Sequence, residues 1–330
     1  MSVSHRARLR PSTGLGNLPV PAMLALLIVC AFTASRSEEF LSVTNFVSIA
    51  DSAAVPIIIV CGLTFVVLMG SIDLSVQGVI ATAAMTTALL AANDRNSNDF
   101  GYWSMAISVG VGALIGAFAG LAVTRMRIPS FLVTIATWNI GLGIAYVLFG
   151  NEWQPSIADE GLMSIGFDSV AGITKPTWIA IAVLLFSLWL QRFSKFGRYS
   201  YVIGGSEEIA LLSGINVKRY RLLALTFSGA CSGLAGAVLA ARSGMGSVMS
   251  GEGQLFFALA SVVIGGTLLS GGKGGVLHSV VGVLIMITLG TALILLDVSD
   301  FYQEIVQGSV VLVVVAATAW RSRRPLRTVV

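Results

Sequence analysis

Charge is what this sequence has least of. Only 11% of its 330 residues are Asp, Glu, Lys or Arg, whereas a soluble domain carries about a quarter. Such a chain cannot cover its own surface in water, which excludes a cytosolic enzyme, a disordered chain and a nucleic-acid binder. The excess of 20 Lys+Arg over 16 Asp+Glu does not point to nucleic acid, because the basic residues form short clusters between apolar runs. Histidine is nearly missing. His5 and His278 stand far apart, so no zinc-protease pair can form, and no nucleophile elbow is present. Cysteine is equally scarce. Cys30, Cys61 and Cys231 all lie in apolar runs and read as buried thiols rather than as a disulfide framework or metal site.

What the chain has in abundance is apolar residues, 55% of the total. A helix needs about 20 of them to cross the hydrocarbon core. Ten candidate spans follow, at 18–35, 53–70, 76–92, 103–124, 131–149, 177–190, 222–241, 255–269, 276–296 and 303–320. Unbroken runs such as Val310-Val311-Leu312-Val313-Val314-Val315 lack the alternation of a transmembrane barrel. The expected fold is an all-α, polytopic transmembrane helical bundle forming one domain over 1–330. The charges set its orientation. With the N-terminus in the cytosol, sixteen Lys and Arg fall inside, including Arg6, Arg8, Arg10, Arg125, Arg127, Lys218, Arg219, Arg221, Lys273 and Arg321. Only Arg36, Arg95, Lys175 and Arg242 fall outside. That asymmetry is a positive-inside signal and puts both termini in the cytosol. It leaves cytosolic tails at 1–17 and 321–330 and a cytosolic loop at 191–221. The first span also resembles a secretory leader, but its length and flanks favour a retained helix. The long outside loop, 150–176, reads as a solvated acidic loop, with docking of an extracytoplasmic partner as the alternative.

Four stretches have the residues for a function. Gly70-Ser71-Ile72-Asp73-Leu74-Ser75 interrupts two spans. Asp73 there is either a helix cap in a tight turn or an ionisable group on a pathway. Pro129 and Ser130 open the fifth span, with Thr134 and Asn139 as polar positions within it; interhelical hydrogen bonding is the plainer reading. In the cytosolic loop, Ser206 is a plausible N-cap, Glu207 and Glu208 suit a first turn, and Gly214 suits a C-terminal stop,. The short helix between them holds Ala210 and Leu211, with Ser213 at its end. It either lies on the membrane surface or docks into a partner. The fourth stretch holds Gly265, Gly266, Thr267, Ser270, Gly271 and Gly272. It imitates a P-loop, but the residue after Lys273 is Gly274, not Ser or Thr. A glycine-rich break where helices approach closely is the better reading. A weaker echo links Val66–Ile72 to Val262–Leu268. Two glycine ladders, Gly112-Gly116-Gly120 and Gly229-Gly233, have the spacing of small-residue helix contacts.

Together, Ser71-Ile72-Asp73-Leu74-Ser75-Val76, Ile128-Pro129-Ser130-Phe131-Leu132-Val133-Thr134, Ile203-Gly204-Gly205 with Leu212-Ser213-Gly214-Ile215-Asn216-Val217, and Val263-Ile264-Gly265-Gly266-Thr267 with Leu269-Ser270-Gly271-Gly272 resemble the inner-membrane permease subunits of ABC sugar importers. These are of the ribose/xylose/galactoside type, within the wider group that includes branched-chain amino acid permeases. The resemblance covers about Val43 to Trp320. It implies a second permease chain, a periplasmic sugar-binding protein and cytosolic ATPase subunits that use the ATP, with no cofactor on this chain. It implies that 206–214 is the coupling helix, and that the Asp73 loop and the Pro129 region belong to the pathway or gate. Ser71 and Gln77 stand where the family usually has Gly, and Ser206 where Asn is common. Two alternatives remain. One is an ABC permease for a branched-chain amino acid or nucleoside. The other is a stand-alone carrier using Asp73 as a proton or cation site.

Overall fold

The computed structural model describes residues 19–299 together with 302, 303, 305–310, 312, 313 and 316. The tails at 1–17 and 321–330 lie outside the described residues, as do eight residues of the span expected at 303–320, whose other residues are helical. The helices are α1 (Val20–Ala34), α2 (Val43–Leu68), α3 (Val76–Leu90), α4 (Trp103–Met126), α5 (Ser130–Phe149), α6 (Glu160–Phe167), α7 (Lys175–Phe193), α8 (Lys195–Gly205), α9 (Glu207–Leu212), α10 (Val217–Ser243), α11 (Gln254–Ile264) and α12 (Val276–Leu295). Six of them, α2, α4, α5, α7, α10 and α12, are long and apolar enough to cross a membrane, and α1, α3 and α11 are shorter apolar helices.

Nine of the expected spans therefore coincide with helices, with three shifted ends, one of them at α10, which begins at Val217 rather than at 222 because Asn216 caps it. α2 begins at Val43 rather than at 53, because Asp51 does not end it. The Asp51 carboxylate pairs with Arg242 at 2.7 Å and accepts from the Thr174 hydroxyl at 2.6 Å. α11 ends at Ile264 rather than at 269, because the glycine-rich break begins there.

α10 is the central post, packed against α2, α3 and α4. The two glycine ladders meet on it. A Cβ added at Gly112 would overlap the Gly229 carbonyl, and one at Gly116 would overlap that of Leu225. These helices touch backbone to backbone, which only small residues permit. Phe65 of α2 fills the space beside them, with its ring 4.8 Å from Phe196 and 5.6 Å from Phe227. Cys61 and Cys231 are buried free thiols.

The acidic loop at 150–176 is folded. It carries α6, capped by Asp159, and an antiparallel hairpin of β1 (Ser169–Val170) and β2 (Ile173–Thr174). Glu152 pairs with Arg95, and Asp168 with Lys175.

A second irregular segment, 244–253, enters the bundle. Gly246 packs on Met85 and Ala88 near one end of α3, and Gly251 packs on the backbone of Gln77 near its other end. The segment therefore descends some ~12–16 Å along α3 at 1.5 Å per residue. Backbone bonds from Ser250 to Ser247, Glu252 to Met249 and Gln254 to Gly251 form turns within it, and Gly246 N–H donates to the Pro155 carbonyl. That descent explains why α11 is short.

Candidate functional site

The two breaks in the helical pattern have the same construction. After α2, Gly70 N–H donates to the Val67 carbonyl and Ser71 N–H to Val66. After α11, Gly266 N–H donates to Val263 and Thr267 N–H to Val262. Both are Schellman caps, and both put glycine in a left-handed conformation, at φ 69° for Gly70 and 100° for Gly266,. The sequence echo between 66–72 and 262–268 is thus a conformational one. The breaks also touch. Gly272 N–H donates to the Leu68 carbonyl at 2.9 Å, and Gly271 packs on Gly70 and Gly204.

Asp73 is 1% exposed and fully engaged. One carboxylate oxygen accepts from the Ser75 N–H at 2.9 Å and the Ser75 hydroxyl at 2.6 Å. The other accepts from Ser228 of α10 at 2.7 Å. The side chain ties the loop to the central post. Its neighbour Ile72 is held from the other side, where its N–H donates to Ser130 Oγ at 3.1 Å and its carbonyl accepts from Thr134 at 3.3 Å. Ser71, Asp73, Ser75, Pro129, Ser130 and Thr134 thus meet around one loop. Asn139 does not join them. It is exposed on the far face of α5 and donates to the Ile135 carbonyl.

Two cavities flank this loop. The larger, about 1270 Å³, lies between α2, α10, α11 and α12. Its walls are mostly apolar, with Arg242, Glu252 and Gln254 among its polar groups. The smaller, about 570 Å³, is bounded by Arg127, Glu207, Lys218 and Arg221 at the α9 end of the molecule. Ile72 and Phe131 line both. Glu252 and Gln254 are site residues that sequence reasoning passed over as part of an outside loop. The available signal was a carboxylate between Gly251 and Gly253 immediately before an apolar run.

The short helix α9 forms as its sequence predicts. Ser206 caps it by accepting from Ile209 N–H, and Gly214, at φ 76°, ends it. Ala210 is buried, while Ile209, Leu211 and Leu212 are exposed, Leu212 at 89%. Glu207 forms a salt bridge to Arg221 at 2.7 Å. Ser206 is at once the C-cap of α8 and the N-cap of α9, so the two helices are joined through one residue. α8 in turn is bound to the glycine-rich break. Gln191 of α7 donates to the Tyr201 hydroxyl, which donates to the Gly274 carbonyl, each at 2.8 Å. Gln191 also accepts from Val276 N–H, the first residue of α12, at 2.8 Å.

Tyr201→Phe is expected to leave the fold intact, at a cost of about 1 kcal/mol. Thermal denaturation in detergent checks it, and a variant that no longer folds refutes it. Burial pushes the Tyr201 hydroxyl from 10 up to about 12. Its stabilising contribution is therefore complete below pH ~10 and is lost as pH rises towards ~12. The alkaline limb of stability that this creates should vanish in the Phe variant.

Comparison with known proteins follows this geometry. The chain is 33% identical to the ribose import permease protein of Haemophilus influenzae over 92% of its own length and 94% of the relative. It is 36% identical to the ribose import permease protein of Bacillus subtilis over 88% and 90%. It is 30% identical to the L-arabinose transport system permease protein of Escherichia coli over 90% and 88%. No solved structure matches it. A family model described as branched-chain amino acid transport system / permease component matches residues 45–315, and the chain belongs to that family of membrane permeases.

Proposed function

We propose that this chain is the transmembrane permease subunit of an ATP-driven ABC importer for a monosaccharide. The observation that carries this is the likeness, over about nine-tenths of the chain, to permeases named for ribose and arabinose. The geometry supports it with a cleft of about 1270 Å³, large enough for a small solute. The cleft leads to a loop shared with a second cavity at the α9 end.

In this reading the α9 end faces the cytosol. Arg125, Arg127, Arg192, Lys195, Arg198, Lys218, Arg219, Arg221 and Lys273 cluster there, in keeping with the positive-inside rule. At the opposite end, Arg95, Lys175 and Arg242 are each paired with a carboxylate. Ten spans with both termini cytosolic fit this arrangement. The outer mouth, beside Asp51 and Arg242, receives sugar from a periplasmic binding protein. A second permease chain completes the pathway. The exposed Ile209, Leu211 and Leu212 of α9 enter a groove on a cytosolic ATPase. ATP binding there moves α9, and α8 passes the displacement through Tyr201 and Gly204 to α12 and to the end of α2. Ile72 and Phe131 are the barrier that opens.

A tagged copy purified from native membranes in mild detergent is expected to carry an ATP-binding subunit with it. Leu212→Glu, at a residue 89% exposed, should abolish that association without disturbing the fold. Recovery of the chain alone, with transport indifferent to ATP, would overturn the importer reading in favour of a stand-alone carrier.

A further inference from the structure

The cleft contains a charge that none of the contacts described so far employs. Glu252 lies at the deep end of the 244–253 segment, next to Gly251, which packs on the Gln77 backbone at the start of α3. It is exposed to the cleft and lines it beside Gln254. Arg242, on the same cleft, is committed to Asp51. Among the described residues the Glu252 carboxylate has neither a hydrogen-bond nor an ion-pair partner. The remaining walls are mostly apolar, as at Val55, Phe257, Leu259 and Val263, and their polar members Ser52, Ser243 and Gln307 are uncharged.

An ionisable side chain at membrane depth is costly, and it is tolerated where it lines a path for a solute or ion. The chemistry of a free carboxylate then selects the solute. It accepts hydrogen bonds and donates none. A polyhydroxylated molecule entering these apolar walls loses hydrogen bonds to water, and a carboxylate restores them in their stronger, charge-assisted form. An anionic solute meets an uncompensated like charge in a medium that screens it less than water does. We infer that Glu252 is a solute-contacting selectivity residue, which accepts hydroxyl hydrogens from neutral sugars and bars sugar acids and sugar phosphates from the cleft. The inference rests on the cleft being the pathway of a sugar importer.

Two measurements test it. The first needs no knowledge of the sugar. Ser52, exposed on the same cleft, is replaced by Cys in a chain whose Cys30, Cys61 and Cys231 have been removed. Small cationic and anionic methanethiosulfonate reagents are then applied. The cationic reagent should react roughly fivefold faster at low ionic strength, and Glu252→Gln should bring the two rates together. Equal rates with Glu252 in place overturn the charge barrier.

The second is uptake of radiolabelled D-ribose, L-arabinose and D-allose by the full complex in proteoliposomes. Glu252→Ala should slow uptake about tenfold, and Glu252→Gln, which keeps one acceptor oxygen, about threefold. Undiminished uptake by the Ala variant overturns the contact. If the intact chain carries none of the three sugars, the proposed function fails on its own account, and the thiol rates still decide the role of Glu252.

Discussion

Phe131→Ala combined with Ile72→Ala is expected to turn the transporter into a leak. Sugar trapped in proteoliposomes should escape without ATP at least roughly tenfold faster than from the unaltered complex, since an apolar constriction holds only while water is excluded from it. The reason is geometric. These two side chains line both the larger cleft and the cavity at the α9 end, so truncating them joins the two spaces. Phe131 is 44% exposed, so its loss should scarcely change thermal stability. Leu132→Ala, an equally exposed neighbour that lines neither cavity, should remain tight and serves as the control. ATP-independent efflux that stays at background in the double variant would show that the barrier lies elsewhere.

Asp73→Ala should cost several kcal/mol of stability, about 1–3 kcal/mol for each buried donor left unsatisfied. It leaves the Ser75 N–H, the Ser75 hydroxyl and the Ser228 hydroxyl without their acceptor. Asp73→Asn behaves differently. Its side-chain oxygen can accept both Ser75 bonds, and its amide can donate to Ser228, so stability should fall by about 1 kcal/mol or less and coupled uptake should persist. Denaturation in detergent and ATP-driven uptake distinguish the two variants. A well-folded Asn variant that no longer transports would restore an ionic role for Asp73 and, with it, the carrier hypothesis.

The positions of the helices were legible because apolar content along the chain is nearly sufficient to define a membrane helix. At the start of α2 the reading slipped because of a distant partner. Asp51 looks like a helix boundary until Arg242, 191 residues away, pairs with it. The local chemistry of α9 was fully legible, since caps and stops are encoded within a few residues. The two breaks were each visible as interruptions, but nothing local says that they meet. Their contact is made by the Leu68 carbonyl, Gly70, Gly204 and Gly272, and backbone leaves no side-chain pattern to read. Asp73 could be read as a cap or as a pathway group, because the same carboxylate suits both until Ser228 is found beside it. Glu252 escaped notice because an irregular segment between two apolar helices looks like an outside loop. Only its packing along α3 from Ala88 down to Gln77 reveals the depth it reaches.

The thinness of the Ile72–Phe131 layer has an electrical consequence. If water fills the cleft and the opposite cavity, which share Ile72 and Phe131 as lining, the insulating part of the protein at that point is thinner than the ~30 Å of the surrounding hydrocarbon. The membrane voltage, about 2.3 kcal/mol per charge for each 100 mV, then drops almost wholly across that layer. Glu252, on the cleft side of that layer, then feels little of that voltage. A neutral sugar crosses the steep region without electrical work, so its uptake is expected to be equal in energised and depolarised membranes.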